Sequence, residues 1–445
     1  MQNKVFGTDG IRGIANTQIS ANLAFFVGKT LAIYLLEKKQ HPLKIIVGRD
    51  TRTSGDMLCC AFCAGFMSMG GDVLNVGILP TPALSFLVTK TEADAGVMLT
   101  ASHNPAEYNG IKIFDEKGLK IDEQVEIKLE KILGDIQNFL PDQKVGRLQI
   151  DEDLCKLWAD YLMQKMGNLN LRDYKIMIDC ANGASFRAIP YVLKTLGAIV
   201  DCKNVDSKGD NINKSCGSTH IENFASLVGK SNCDIAFAYD GDADRVIIVT
   251  NKGQVLTGDE ILYIFAKYLH SKNELKNDTL ITTVMTNYGV EKSLNKLGIN
   301  TLRVKVGDKY VLQKMLEQDC NLGGEESGHI ILGDYNLSAD GLLATLFLLK
   351  IMTEREGTVE ELLKGLNKYN TARIDLKVSD RQKILVQNGG MEELVQRFAD
   401  ELAENGRIVL RASGTESVVR ILVEGEDLQL ISSIAENLEQ AVKEL

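Results

Sequence analysis

The stretch Asp94-Ala95-Gly96-Val97-Met98-Leu99-Thr100-Ala101-Ser102-His103-Asn104-Pro105 joins two unlike kinds of sequence. Its first half is small and apolar, as in a buried strand. Asn104-Pro105 ends that pattern, because the residue before a proline is pushed out of the helical region. Ser102 is therefore expected on a turn just past the carboxyl end of a strand, where open α/β sheets carry their ligands. Thr, Ser and Asn are also ordinary turn formers. These residues alone do not separate a site from a plain turn.

The pattern recurs. Lys44-Ile45-Ile46-Val47-Gly48, Lys175-Ile176-Met177-Ile178-Asp179 and Thr279-Leu280-Ile281-Thr282-Thr283-Val284 each read as a strand, followed by a polar turn and a helix. The helices end alike, at Met69-Gly70-Gly71, Leu196-Gly197 and Leu297-Gly298, with glycine as the exit into a further strand. Each unit then reaches a third strand with a polar loop behind it. Those loops are Ser102-His103-Asn104, Asp240-Gly241-Asp242-Ala243-Asp244 and Gly324-Glu325-Glu326-Ser327-Gly328-His329. The same order three times predicts an α/β fold of three topologically related domains that aim equivalent loops at one central cleft. The rest predicts a smaller C-terminal α+β domain, with strands Thr371–Val378, Arg407–Arg411 and Val418–Glu424 and a helix through Leu428–Leu445. We place the boundaries at 1–153, 154–252, 253–368 and 369–445, with Asp151–Met166 as a connecting helix carrying the only tryptophan, Trp158.

Bulk properties narrow the function. The chain has 445 residues, enough for about three or four domains at roughly 100–200 residues each. A net charge of -10 argues against nucleic acid or anionic membrane as a partner, since both require basic patches. The opening Met1–Gly7 has no signal-peptide core, and no run is long enough to span a bilayer. The nine cysteines lack the spacing of a disulfide scaffold, so they are expected as reduced thiols in a cytoplasmic protein. Cys59, Cys60 and Cys63 sit in an apolar stretch and are expected to pack in the core.

Asp240-Gly241-Asp242-Ala243-Asp244-Arg245 is the strongest chemical signal. Carboxylates at alternate positions repel one another unless a hard cation neutralises them. An EF-hand is ruled out, because Arg245 stands where that loop needs glycine and Asn251 where it needs glutamate. Mg²⁺ fits better, since it takes few carboxylates plus a phosphate oxygen. A solvated acidic turn is the alternative, opposed by the apolar runs on either side. Arg411-Ala412-Ser413-Gly414-Thr415 has the composition of a phosphate cradle. Glu325-Glu326-Ser327 offers groups a sugar's hydroxyls would need, or is a charged turn. His103 beside Ser102 suggests a serine hydrolase. No Gly-x-Ser-x-Gly elbow accompanies it, and neighbours along a strand point to opposite faces. Arg12, Arg49, Arg52, Lys112 and Arg245 mark an anion-facing cleft or are surface charges.

Together, Thr100–Pro105, Asp240–Arg245, Gly324–His329 and Arg411–Thr415 resemble the α-D-phosphohexomutase superfamily, in motif and in order, over the chain from Val5 to its last helix. Phe6-Gly7-Thr8-Asp9-Gly10-Ile11-Arg12-Gly13 and Cys216-Gly217-Ser218-Thr219-His220 are similar to its bacterial phosphoglucosamine mutase branch. The resemblance implies interconversion of glucosamine 6-phosphate and glucosamine 1-phosphate, toward UDP-N-acetylglucosamine and the cell wall. It implies that Ser102 is a phosphoserine whose phosphoryl group passes to the sugar, giving glucosamine 1,6-bisphosphate as intermediate. It implies Mg²⁺ on Asp240, Asp242, Asp244 and phosphorylated Ser102. Glu325 and Ser327 would read sugar hydroxyls. Arg411, Ser413, Gly414, Thr415 and Arg420 would hold the phosphate that is not reacting. Lys112, Arg12 and His329 would share acid–base work, supported by His103, Asn104 and Arg245.

The partner implied is a small phosphosugar, and a homodimer is one assembly left open. The rivals are a mutase for neutral hexose phosphates and a non-catalytic phosphosugar-binding protein. Two departures stand out. Ala412 and Ser417 replace prolines common among relatives. Glu326 stands where phosphoglucosamine mutases usually have glutamine, either near the sugar's 2-position or facing solvent. A phosphate loop on a separate small domain is expected to close on the ligand.

Overall fold

The computed structural model describes residues 5–7, 10–39, 42–139, 144–412 and 417–445. Three sheets share one strand order. In the first, Asp72–Ile78, Lys44–Arg49 and Ala95–Leu99 lie parallel, and Tyr108–Phe114 returns antiparallel beside Ala95–Leu99. The second repeats this with Ile199–Lys203, Lys175–Asp179, Ile235–Tyr239 and the returning Val246–Thr250. The third does so with Asn300–Val304, Thr279–Thr283, Leu322–Gly324 and the returning Ile330–Leu332. The three related domains predicted from the repeat are therefore present, to the direction of each strand.

The local causes are those expected. Ala95–Leu99, Ile235–Tyr239 and Thr279–Thr283 are buried along their whole length, as parallel strands covered on both faces must be. Gly70, Gly197 and Gly298 leave their helices at φ of +83°, +102° and +80°, the left-handed region where a side chain is disfavoured. In each domain the third strand passes into an antiparallel neighbour instead of a helix. One sheet therefore holds both ends of the connecting loop. Those loops carry Ser102, Asp240–Asp244 and Glu325–His329.

The inner faces of the three sheets share a single apolar core running from Ile46 to Val359. Trp158, on the helix Cys155–Met166, is wholly buried in it. Its indole N–H donates to Asp340 Oδ2 at 3.0 Å, and Asp340 caps the helix Gly341–Arg355 of the third domain. Each outer face has its own smaller cluster.

The last domain is a three-stranded antiparallel sheet of Asn370–Lys377, Val418–Gly425 and Gly406–Ala412, with Val418–Gly425 central. Its core is separate. Besides Leu428–Glu444 it has the helices Asp380–Gln387 and Glu392–Leu402, which the sequence reading did not separate out. The spacing of Leu394, Val395, Phe398 and Leu402 marks the second of these. The domain is joined to the third by Asn287, whose side-chain amide exchanges two hydrogen bonds of 3.0 Å with the backbone of Tyr369. The Tyr288 N–H donates to Glu424 Oε2 at 3.0 Å, and Arg407 Nη2 donates to the Thr286 carbonyl at 2.6 Å.

Among the described residues no helix is long and apolar enough to cross a membrane. All nine cysteines are free. Cys59 and Cys63 pack in the core as expected. Cys60 is exposed, because it falls on the outer side of the helix Ser54–Met67.

Candidate active site

Ser102 occupies the turn after Ala95–Leu99, at φ +51° and 1% exposed. Its hydroxyl donates to Asp240 Oδ2 at 2.7 Å, across the boundary between the first and second domains. Its N–H donates to the Thr100 hydroxyl, which in turn donates to Asp50 Oδ2. His103 does not face away from Ser102, as strand alternation would require. The pair lies on a turn and not a strand, and His103 Nδ1 is 3.3 Å from Ser102 Oγ. Burial, then Arg245 and Arg12, push His103 down to about 3, so the ring is neutral. Arg12 Nη1 donates to Asn104 Oδ1 at 3.5 Å, on the same loop.

Two of the basic residues read as cleft markers or surface charges are paired with carboxylates. Arg49 pairs with Asp56 at 2.6 Å. Arg52 is wholly buried and pairs with Asp50 at 2.9 Å.

Asp240, Asp242 and Asp244 are each at most 2% exposed and bring one carboxylate oxygen apiece within 4.8 Å of one another. Burial, then Asp244 and Asp242, push Asp240 up to about 8. Burial would also raise Asp244, but His329 and Lys112 hold it well below the usual carboxylate range. Lys112 Nζ donates to Asp242 Oδ2 at 2.8 Å and to Asp244 Oδ2 at 3.3 Å. The ammonium expected near the serine for proton transfer is thus engaged with the acidic loop. Asp242 Oδ1 is buried and, among the described residues, makes no hydrogen bond. A carboxylate oxygen left bare among crowded, dehydrated acids is what a hard cation would satisfy, so the residues fit Mg²⁺.

Thr81 escaped the sequence reading. It opens the helix Thr81–Lys90, its N–H donates to the Asp242 carbonyl at 2.9 Å, and its hydroxyl donates to Asp242 Oδ2 at 2.6 Å. Leu79-Pro80-Thr81-Pro82 signals a helix start, but nothing in it points 161 positions ahead. Thr81 and Lys112 together occupy Oδ2 and leave Oδ1 for a ligand. Thr81→Val, which keeps the shape, is expected to weaken Mg²⁺ binding about tenfold by titration calorimetry. Unchanged affinity would assign Thr81 to packing alone.

His329 links the second and third domains. Its Nε2 lies 2.9 Å from Asp244 Oδ1 and its Nδ1 lies 2.9 Å from Glu325 Oε2. Burial and Arg245 would lower its pKa, but Asp244 and Glu325 outweigh them and raise it to about 10, while Arg245 Nε also donates to His329 Nε2 at 3.2 Å. Arg245 pairs its backbone with His329, and its Nε is 3.9 Å from Asp240 Oδ2. Glu325 also accepts the Gly307 N–H at Oε1, 2.9 Å. Both its oxygens therefore already have protein partners, each with further lone-pair capacity. Ser327 is half-buried. Glu326 faces neither open solvent nor the acidic loop. Burial raises its carboxyl, and Lys368, Glu424 and Arg373 surround it at the seam with the last domain.

Arg411 and Arg420 are cross-strand partners in the last domain. Arg373 joins them beside Asp375, with N···O distances of 3.2 Å from Arg373 and 3.9 Å from Arg420. Burial, then Arg420 and Arg373, lower Arg411. Clustered guanidiniums on one sheet face suit a dianion. Arg373 was missed, although strand alternation places it on the face of Asp375. Ser413, Gly414 and Thr415 of the same loop, and Thr8 and Asp9 of the opening motif, lie outside the described residues.

Ser102, Lys112, the three aspartates, Arg245, Glu325 and His329 thus meet where three domains join. Comparison with known proteins gives a consistent result. Four family models match in succession. Phosphoglucomutase/phosphomannomutase alpha/beta/alpha domains I, II and III match residues 3–139, 156–253 and 257–369, and the C-terminal domain matches 374–441. Phosphoglucosamine mutase of Clostridium acetobutylicum is 41% identical over 444 residues, 99% of each chain. A phosphoglucomutase/phosphomannomutase family protein from Burkholderia thailandensis superposes with TM-score 0.83 at 24% identity, covering 99% of this chain and 97% of that one. Aspergillus fumigatus N-acetylphosphoglucosamine mutase, solved in complex with GlcNAc-6P and magnesium, gives TM-score 0.67 at 16% identity, covering 99% and 95%.

Proposed function

Since the chain belongs to the phosphoglucosamine mutase family of the phosphohexomutase superfamily, and so interconverts glucosamine 6-phosphate and glucosamine 1-phosphate, we propose that Ser102 carries the phosphoryl group between the two positions. The observation behind this is the 2.7 Å contact of Ser102 Oγ with Asp240 in a buried turn where three domains meet. The phosphorus–Oγ bond of phosphoserine breaks as a bond forms to the free sugar hydroxyl, giving glucosamine 1,6-bisphosphate. The intermediate turns round and returns its other phosphoryl group to Ser102. In the first transfer the sugar hydroxyl gives up its proton and the departing serine oxygen takes one, and in the return step the Ser102 hydroxyl gives up its proton and the departing sugar oxygen takes one.

Asp240, Asp242 and Asp244 would hold Mg²⁺, which when bound supplies positive charge beside the phosphoryl oxygens. The magnesium complex of the Aspergillus relative supports that choice of ion. His329, held between Asp244 and Glu325, ties the aspartate loop to the sugar loop. Lys112 and Arg12, on adjacent strands beside the serine loop, share the acid–base work with His329. Glu325 and Ser327 read the sugar hydroxyls. Arg411 and Arg420, with Ser413, Gly414 and Thr415, take the second phosphate. We place the reaction in the cytoplasm, feeding UDP-N-acetylglucosamine and cell-wall precursors.

The test is to incubate the protein with glucosamine 1,6-bisphosphate and Mg²⁺ and map phosphate by peptide mass. One phosphate on Ser102 is expected, and phosphate only elsewhere, or none, overturns the proposal. Turnover of glucosamine 1-phosphate should exceed that of glucose 1-phosphate, and a clear preference for the neutral sugar would reverse the substrate assignment.

A further inference from the structure

We propose that Arg52 is a positioning residue that fixes the backbone state in which Ser102 reacts, with Asn213 as its counterpart from the second domain. The inference rests on Ser102 being the phosphate carrier.

Arg52 is 0% exposed, and all five of its side-chain N–H groups are engaged. Nε donates to Asp50 Oδ2 at 2.9 Å. Nη2 donates to the carbonyls of Ser102 at 2.9 Å and Asn104 at 2.8 Å. Nη1 donates to the carbonyls of Tyr108, at 2.9 Å, and Pro105. A guanidinium taken wholly out of water is therefore spent on four carbonyls of one loop. From the other side, Asn213 Nδ2 donates to the same two carbonyls, Ser102 at 2.8 Å and Asn104 at 3.0 Å.

The net closes on itself. Asp50 accepts from the Arg52 side chain, from the Arg52 N–H at 2.9 Å and from the Thr100 hydroxyl at 2.6 Å. Thr100 then accepts the Ser102 N–H. Both sides of the Ser102 residue are thus tied to one buried ion pair. This matters because Ser102 sits at φ +51°, a region that residues with a side chain enter only when their surroundings impose it. The reactive loop carries no proline between Ser102 and Asn104 to impose it locally. With its carbonyls bound by cationic and amide donors, the loop presents Oγ to Asp240. Packing alone would not need this arrangement, since an apolar side chain could fill the volume without burying a charge.

The experiment uses the full chain, with Arg52→Gln, Asn213→Ala and Ser102→Ala compared with wild type. The readouts are kcat, KM for glucosamine 1-phosphate, the rate of Ser102 phosphorylation by glucosamine 1,6-bisphosphate, and Tm. Displacing the serine by about 1 Å is expected to lower kcat and the phosphorylation rate of Arg52→Gln about 100-fold, with KM within about threefold of wild type. Asn213→Ala, which leaves no buried charge unpaired, is expected to lower both rates about tenfold. A merely structural role would lower Tm and leave the kcat of folded protein unchanged, and that result overturns the proposal. Should Arg52→Gln fail to fold, Asn213→Ala decides alone, and a wild-type kcat there is equally fatal. If Ser102→Ala retains wild-type turnover, the phosphoserine itself is wrong, a separate outcome from failure of the clamp.

Discussion

Ser102→Ala is expected to lower mutase turnover by on the order of 10⁴-fold or more, while the protein folds and binds Mg²⁺ much as before. The substitution removes the atom that receives and releases the phosphoryl group, and among the described residues no neighbouring hydroxyl stands in its place. Thr100, the nearest hydroxyl along the chain, is committed to Asp50 and to the Ser102 N–H. The structural cost is small. Alanine is no more strained than serine at φ +51°, and Asp240 loses one neutral donor while keeping the Arg245 N–H at 3.2 Å. A change of about 1 kcal/mol in stability is expected from that single bond. A coupled assay of glucosamine 1-phosphate formation, run beside a Tm measurement, checks both. Turnover within tenfold of wild type would show that the phosphoryl group travels by another route.

Asp242→Asn is expected to weaken Mg²⁺ binding by on the order of 100-fold or more and to lower turnover accordingly at limiting Mg²⁺. The amide keeps the shape but removes charge from the oxygen that has no partner among the described residues. It also weakens the acceptor shared by Thr81 and Lys112. In the absence of Mg²⁺ the variant relieves like-charge crowding on Asp240. It also removes the buried counter-charge of Lys112, so its Tm without the ion is not expected to rise, and the rise in Tm that Mg²⁺ gives the wild type is expected to vanish. A variant that loses stability in both conditions, with Mg²⁺ affinity intact, would make Asp242 a structural acid.

The fold was legible because its signals are local. Continuous apolar strands, glycine exits and the repeated order of turn and helix need no tertiary information. That order placed Ser102, the aspartates and the Glu325–His329 loop at one locus. What could not be read is what depends on contacts between distant positions. Arg52 read as a cleft marker or a surface charge because arginines in polar loops are mostly exposed, and only the fold turns it inward onto carbonyls 50 to 56 positions away. Asn213 and Thr81 reach across domain boundaries, with no periodicity to announce them. The engagement of Lys112 and His329 with aspartates was invisible for the same reason. The short helices of the last domain were missed for a weaker reason, since the apolar spacing of Glu392–Leu402 could have been found.

The unbroken apolar core from Ile46 to Val359, beside the separate core of the last domain, also fixes how the molecule comes apart on heating. The first three domains cannot melt one at a time without exposing one another's inner faces, so they form a single cooperative unit. The last domain, attached through Asn287, Tyr288 and Thr286, can lose its structure first. A calorimetric scan is expected to show a small endotherm ahead of a large one, and a bisphosphate that bridges the last domain to the other three should draw the first toward the second.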